Sequence, residues 1–190
     1  MQEQIRSFIA FDLNSEQVLK RLAEAQAMLV KTEADLKAVE PQNIHVTMRF
    51  LGNITSETVD KIHEEMKKVP FTPFGARLHG LGVFPDLRYP RVCWVGITEG
   101  ADQLRGIFGQ LEPRLRGLGF APDPKGFSPH LTIARVRSGR NKAELAKFIT
   151  ENVDYDFGVI RADCLRLKKS DLTPRGPIYS TLREVCPQRL

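Results

Sequence analysis

The sequence has no hydrophobic run long enough to cross a membrane. Its longest apolar stretches, Phe8–Phe11 and Val92–Ile97, fall far short of the roughly 20 residues that a membrane helix needs. The amino-terminal segment lacks the apolar core of a signal peptide, so we expect a cytoplasmic protein without a membrane partner. Heptads, Gly-X-Y periods and low-complexity tracts are also absent from the sequence, which excludes coiled coils, collagen and disordered chains.

Cysteine is scarce and follows no metal-binding pattern. The three cysteines, Cys93, Cys164 and Cys186, form neither a C-x-x-C motif nor a zinc-like spacing. We therefore expect free thiols in a reducing compartment. No histidine stands at a telling position relative to Cys164 or Cys186, so the sequence does not indicate a thiol nucleophile.

The composition is that of one soluble globular domain with a mild excess of positive charge. The 190 residues are 42% hydrophobic and 27% charged, and 28 Lys and Arg face 23 Asp and Glu. This balance suits a polyanionic partner without requiring one. No block of about five or six like charges occurs, so a basic DNA-binding arm is not expected.

Hydrophobic periodicity predicts the same order of elements twice: strand, helix, strand, helix, strand. Ser15 and Thr55 are predicted to cap the two helices of the first half. Ile9 and Trp94 each precede a histidine of a repeated motif by 36 residues. An internal duplication is the economical interpretation, and it indicates an α+β protein with two similar lobes. The predicted strands are Arg6–Leu13, Ile44–Leu51, a strand near Phe74–Val83, Val92–Ile97, Phe127–Val136, Asp154–Lys168 and Ile178–Val185.

The repeated motif is His-x-Thr followed by a hydrophobic residue, at His45-Val-Thr47 and again at His130-Leu-Thr132. Because side chains alternate along a strand, histidine and threonine face the same side, and the apolar residues between them face the other. One such match would indicate only a structural histidine. Two matches at equivalent places in two similar halves predict a shared groove with two imidazoles and two hydroxyls.

These groups suit the acid–base hydrolysis of a phosphoester. One neutral histidine removes a proton from water, while the other, as imidazolium, protonates the leaving oxygen. Threonine hydroxyls can hydrogen-bond the non-bridging phosphate oxygens. No carboxylates accompany the two histidines, which leaves a zinc site short of ligands, so we expect neither a metal nor another cofactor.

Three segments carry a resemblance to a known family: Arg6–Asp12, His45–Gly52 and Ser128–Arg135. With them the sequence resembles the 2H phosphoesterases, and among these the RNA 2',3'-cyclic phosphodiesterases, formerly known as 2'-5' RNA ligases. The resemblance implies a metal-independent enzyme acting on cyclic or terminal ribose phosphates. It also implies a pseudo-twofold α+β fold in which two antiparallel-rich sheets line a central groove with helices outside.

In the same way, the resemblance implies one domain, residues 1–190, with two lobes from sequence halves of about 1–86 and 87–190 that can exchange strands. It makes His45 the proton donor to the leaving ribose oxygen and His130 the proton acceptor from water. Thr47 and Thr132 would bind the phosphate. Arg135 matches a position where relatives carry arginine and is a further candidate for substrate binding.

Strict alternation disagrees with part of this site. It places Arg135 opposite His130, so a substrate contact by Arg135 requires a bulge, and it places Arg49 on the His45 face, either near RNA phosphates or in solvent. Phe50, Phe84 and Tyr89 are left open as base-stacking or packing residues. The remaining histidines, His63 and His79, are expected to be structural or on the surface.

The leading hypothesis is therefore an enzyme that opens RNA 2',3'-cyclic phosphate ends to 2'-phosphates, acting as a monomer. Two alternatives stay open. The same site could act on small cyclic nucleotides or 2'-5' linkages, including the reverse ligation. The fold could also bind RNA or a nucleotide without turning it over.

Overall fold

The computed structural model describes residues 4–124 and 126–187. In these residues, nine strands pair antiparallel in one open sheet, and four helices pack on it. The strands are β1 (Ile5–Asp12), β2 (Leu36–Ala38), β3 (His45–Ile54), β4 (Phe74–Phe84), β5 (Val92–Ile97), β6 (His130–Val136), β7 (Asp156–Ala162), β8 (Leu165–Thr173) and β9 (Gly176–Val185). The helices are α1 (Glu16–Lys31), α2 (Ser56–Lys67), α3 (Ala101–Gly117) and α4 (Lys142–Glu151).

The first two helices begin where the sequence places their caps. The Ser15 side chain accepts a hydrogen bond from the backbone N–H of Val18, and the Thr55 side chain does the same for Thr58. Each helix buries an apolar stripe against the sheet, as at Leu22 on α1. No helix in the described residues is long and apolar enough to span a membrane.

The strand order is β7-β4-β5-β6-β3-β1-β8-β9, with β2 added on β6. We call β3, β1, β8 and β9 the first half-sheet, and β6, β5, β4 and β7 the second half-sheet. Among the described residues they join through one residue pair, Val46 with Leu131. The α+β fold with antiparallel sheets is thus confirmed, with the two half-sheets continuous through β3 and β6.

The chain crosses between the half-sheets. Strand β4 follows β3 in sequence but pairs with β5 and β7, and the two last strands return to β1. Each half-sheet therefore contains strands from both parts of the chain. The division into two similar lobes at about residues 86 and 87 stays a prediction.

Both central strands contain a bulge at the third residue after the motif histidine. Ala10 pairs with Thr47 and Ile9 with Arg49, so Met48 is the extra residue in β3. In β6, Trp94 pairs with Thr132 and Cys93 with Ala134, so Ile133 is the extra residue. A bulge reverses the alternation of side chains after it.

The same register corrects the spacing noted in the sequence. Ala10 and Trp94 both lie opposite the threonine of a motif, so these two residues are the structural equivalents. The equal interval of 36 residues counted from Ile9 does not connect equivalent positions. The duplication is visible in the paired motifs and their bulges, not in that interval.

The expectation of three free cysteines is wrong for two of them. Cys164 and Cys186 form a disulfide with a Cα–Cα distance of 4.3 Å, while Cys93 is a buried free thiol. The two partners flank the last pair of the β8–β9 hairpin, Leu165 with Val185, so hairpin register brings them together. The cysteine content therefore no longer supports a reducing compartment.

Candidate active site

A cleft of about 700 Å³ opens where the two half-sheets meet. All five residues predicted for the site line it: His45 and Thr47 from β3, and His130, Thr132 and Arg135 from β6. Because β3 and β6 touch at one residue pair, their motifs face each other across this junction. The predicted site residues are therefore brought together, and their roles stay predictions.

The two imidazoles are oriented in the same way. Nδ1 of His45 lies 2.7 Å from the carbonyl oxygen of Asn43, and Nδ1 of His130 lies 2.7 Å from that of Ser128. Since a carbonyl only accepts, each Nδ1 must carry the hydrogen. Nε2 of each ring is therefore the nitrogen that can take or give a proton at a bound substrate.

His45 lies between two aromatic rings of the first half-sheet. The Phe8 ring stacks on it with centroids 4.7 Å apart, and the Tyr179 ring meets it edge-on at 5.4 Å. Burial lowers the pKa of His45 to about 4, against the opposing effect of the Asn43 carbonyl. Without substrate, His45 is therefore almost entirely neutral at pH 7.

His130 packs against aromatic rings of the second half-sheet. Phe84 meets it edge-on with centroids 5.0 Å apart, and Trp94 lies 6.5 Å away. The Trp94 ring covers Gly82, where an added Cβ would overlap the indole. Burial lowers the pKa of His130 as well, while the Ser128 carbonyl raises it. Phe84 therefore packs against His130, and this contact favours the packing interpretation of Phe84.

The threonines and Arg135 share the cleft face. Neither Thr47 nor Thr132 has a hydrogen-bond partner for its hydroxyl among residues 4–124 and 126–187, so both can donate to an anion. The bulge at Ile133 turns Arg135 onto the side of His130, where it is exposed. The conflict between strand alternation and a substrate contact by Arg135 is thereby removed.

The position of Arg49 differs from the prediction. The bulge at Met48 turns Arg49 to the opposite face, where only 9% of it is exposed. Its Nε donates to Glu112 at 2.8 Å, and its other nitrogens donate to the carbonyls of Phe50 and Ala121. Arg49 is therefore a structural ion-pair partner and does not face substrate.

Phe50 takes the cleft position that alternation assigned to Arg49. It is 58% exposed and lines the cleft beside Phe8, whose ring centroid is 6.1 Å away. The core-packing interpretation of Phe50 is therefore wrong. An exposed aromatic ring at the mouth of a cleft is available to stack on a nucleobase.

The cleft has a basic rim that no local motif indicated. Arg6, Lys37 and Arg175 line it together with Arg135, and Glu40 is the acidic residue beside them. In the described part of the chain, none of these four cations forms an ion pair. They come from β1, β2, the β8–β9 turn and β6, so only the tertiary structure brings them together.

The other candidates lie outside the cleft. Tyr89 is exposed, with the Lys142 ammonium 5.6 Å from its ring centroid. His63 on α2 contacts the Glu184 carbonyl oxygen at 3.2 Å, and His79 is half-buried within β4. These positions agree with the structural or surface roles expected for both histidines.

One group of side chains has the spacing to hold a metal ion, among the residues that the structure describes. It consists of Cys164, Glu184 and Cys186, and its two cysteines form the disulfide. Neither motif histidine belongs to it. The cleft therefore offers proton-transfer groups, hydroxyls and cations to a ligand.

Known proteins resemble this chain over most of its length. Residues 12–94 and 95–179 each match the family model of LigT-like phosphoesterases. An RNA 2',3'-cyclic phosphodiesterase of Aeropyrum pernix is 40% identical over 165 residues, which cover 87% of this chain and 94% of that protein. One from Archaeoglobus fulgidus is 37% identical over 182 residues, covering 94% and 98%. The structure of Escherichia coli LigT complexed with 3'-AMP has the same fold, with a TM-score of 0.81 at 21% identity and coverage of 98% and 100%.

We expect Arg49→Met to lower the free energy of unfolding by about 3 kcal/mol, because it leaves the half-buried Glu112 carboxylate without its charged partner. Urea denaturation measures the change. Arg105→Met, which removes an exposed ion pair on α3, serves as control and should cost no more than about 1 kcal/mol. Unchanged stability with weakened substrate binding would instead place Arg49 at the substrate.

Proposed function

The chain belongs to the LigT-like phosphoesterase family, and from this membership we propose that it hydrolyses RNA 2',3'-cyclic phosphate ends to 2'-phosphates. The observation that carries the proposal is the paired orientation of His45 and His130, each anchored through Nδ1 with Nε2 left for substrate. The relatives named for this activity match nearly the full length of the chain. The chain is thus an enzyme in this proposal and not a binding module.

In the proposed reaction, Nε2 of His130 takes a proton from water as the water oxygen forms a bond to phosphorus. The bond between phosphorus and the ribose 3'-oxygen breaks, and Nε2 of His45 gives that oxygen its proton. The phosphate stays on the 2'-oxygen. Afterwards His130 is protonated and His45 neutral, and exchange with solvent restores the starting state.

The pKa directions set a condition on this assignment. Burial lowers the pKa of both rings, to about 4 for His45, so without substrate His45 carries no proton that it could give to a leaving oxygen. For His45 to act as the acid, the phosphate anion must raise its pKa on binding. An opposite charge within about 4–6 Å has that effect.

The threonines and the basic rim provide the substrate contacts in this proposal. Thr47 and Thr132 donate hydrogen bonds to the non-bridging oxygens, and Arg135 balances their charge. Arg6 and Arg175 attract the RNA strand that leads to the reacting end. Because the cleft is built from one chain, we propose that the protein acts as a monomer. We propose that it needs no metal, because its reacting groups are imidazoles and hydroxyls.

The substrate experiment compares an RNA oligonucleotide ending in 2',3'-cyclic phosphate with a 2',3'-cyclic mononucleotide. We expect faster turnover of the oligonucleotide and a product that keeps its phosphate on the 2'-oxygen. A preference for the mononucleotide or for 2'-5' linkages would support the alternative substrates. RNA that binds but survives long incubation would indicate a binding module.

We expect the activity to survive dialysis against EDTA, because the proposed mechanism uses imidazoles and hydroxyls as its reacting groups. Initial rates before and after dialysis measure this. Loss of turnover that a divalent ion restores would contradict the metal-independent mechanism.

We expect RNA binding to weaken as salt rises, because the rim cations release counterions from the phosphates. Arg135→Gln should weaken binding and reduce the slope of log affinity against log salt by about 0.7. Titration of a product RNA ending in 2'-phosphate measures both effects. Arg105→Gln on α3 is the matched control and should leave both unchanged. An affinity independent of salt would contradict a role for the basic rim.

His45→Ala and His130→Ala should each lose about 10²–10⁴ in rate, because each removes a positioned acid or base. The double variant should be little slower than either single one. His63→Ala, outside the cleft, is the control and should keep its rate. Near wild-type activity in either single variant would contradict the two-histidine mechanism.

A substrate whose leaving group needs no proton tells the two roles apart. With a p-nitrophenyl phosphodiester, His45→Ala should recover much of its rate, whereas His130→Ala should stay slow. The reverse result would exchange the acid and base assignments.

A further inference from the structure

A partly buried ion pair, with a buried Lys168 and a half-buried Asp12, lies beside His45 on the cleft side of the first half-sheet. Asp12, the last residue of β1, stands directly opposite His45 in the β1–β3 ladder, where facing Cβ atoms are about 4.5–5.5 Å apart. The Lys168 ammonium on β8 lies 2.7 and 2.8 Å from the two Asp12 carboxylate oxygens. Lys168 is only 8% exposed, and neither residue lines the cleft.

The other polar groups around His45 come from β6, β8, β9 and the segment just before β3. The Asn43 carbonyl accepts from its Nδ1, Tyr179 on β9 meets the ring edge-on, and His130 faces it from β6. Behind Asp12, Arg166 on β8 lies 3.7 Å from its carboxylate and 3.2 Å from that of Glu184 on β9. Asp12 and Lys168 are therefore a pair of opposite charges beside the ring, and they act on its pKa with opposite sign.

We propose that Asp12 and Lys168 are positioning residues that act through His45 and keep its protonation state responsive to a bound anion. Without Lys168, the Asp12 carboxylate would favour the imidazolium form of His45 whether or not substrate is bound. Without Asp12, the Lys168 ammonium would disfavour that form in both states. Bonded to each other, they largely cancel, so the charge brought by the substrate decides. The catalytic meaning rests on the proposed function, but the effect on His45 does not.

The signs of the effects give the experiment. Removing the Lys168 charge should raise the pKa of His45, and removing the Asp12 charge should lower it, each by on the order of one pH unit. Lys168→Met and Asp12→Asn nearly preserve the shapes of the side chains. A loss of packing or fold would not move one imidazole in opposite directions in the two variants.

The measurement is an NMR titration of the histidine rings in the full chain without substrate, with His45 assigned from a His45→Gln variant. Lys168→Met should raise its midpoint from about 4. In Asp12→Asn the ring should stay neutral down to the pH at which the protein unfolds. The double variant should return toward the wild-type midpoint, and Lys168→Arg should keep it.

The control is Asp60→Asn, which removes a carboxylate 2.8 Å from Arg183, in an exposed ion pair between α2 and β9. It should leave His45 unchanged. If Lys168→Met and Asp12→Asn both move the pKa of His45 in the same direction, or neither moves it, the proposal is wrong. If Asp12→Asn does not fold, Lys168→Met decides the question. An unchanged His45 midpoint in Lys168→Met overturns the proposal. A raised midpoint in Lys168→Met, together with an unchanged midpoint in Lys168→Arg, supports it.

The pH dependence of kcat/KM separates this proposal from the proposed function. If both hold, the limb that reports His45 shifts in the direction seen by NMR. A shifted NMR midpoint with an unshifted rate profile would support the positioning role and contradict His45 as the catalytic acid.

Discussion

The paired bulges at Met48 and Ile133 are the constraint on which the site depends. They lie just beyond the threonines, in the two strands that join the half-sheets through Val46 and Leu131. Up to each bulge, alternation holds histidine and threonine on one face. The bulge residue and the residue after it are both buried, and the next side chain returns to the cleft. Each strand thus presents three cleft residues in six positions.

The duplicated framework carries different side chains at equivalent places. Phe50 and Arg135 both follow their histidine by five residues and both line the cleft. Lys168 pairs with Phe8, the residue opposite Phe50. Phe84 pairs with Val92, the residue opposite Arg135. Lys168 and Phe84 therefore also stand at equivalent places. In the first half-sheet, the charged Lys168 lies behind His45 and the Phe50 ring lies at the cleft mouth. In the second half-sheet, the Phe84 ring lies behind His130 and the charged Arg135 lies at the mouth. In the proposed reaction, such an asymmetry allows two identical residues to take different roles, one as acid and one as base.

The parts of the structure that depend on local sequence could be predicted. The caps at Ser15 and Thr55 and the two motifs need only a few neighbouring residues, and the structure places them as expected. Arg49 and Arg135 could not be placed correctly by alternation alone, because a bulge depends on pairing with β1 or β5. The pairing of Cys164 with Cys186 depends on hairpin register in the same way. The basic rim joins four distant segments and has no local signal.

Electrostatics determines how a charged ligand acts on the histidines. Burial disfavours the charged form of both rings, and for His45 the Lys168 ammonium adds to that effect. A free protein with two neutral imidazoles avoids repulsion between like charges in a partly dehydrated space. A phosphodiester brings negative charge into this cleft. In the proposed reaction that charge raises the pKa of one ring, so the bound anion itself creates the protonation state that the reaction requires.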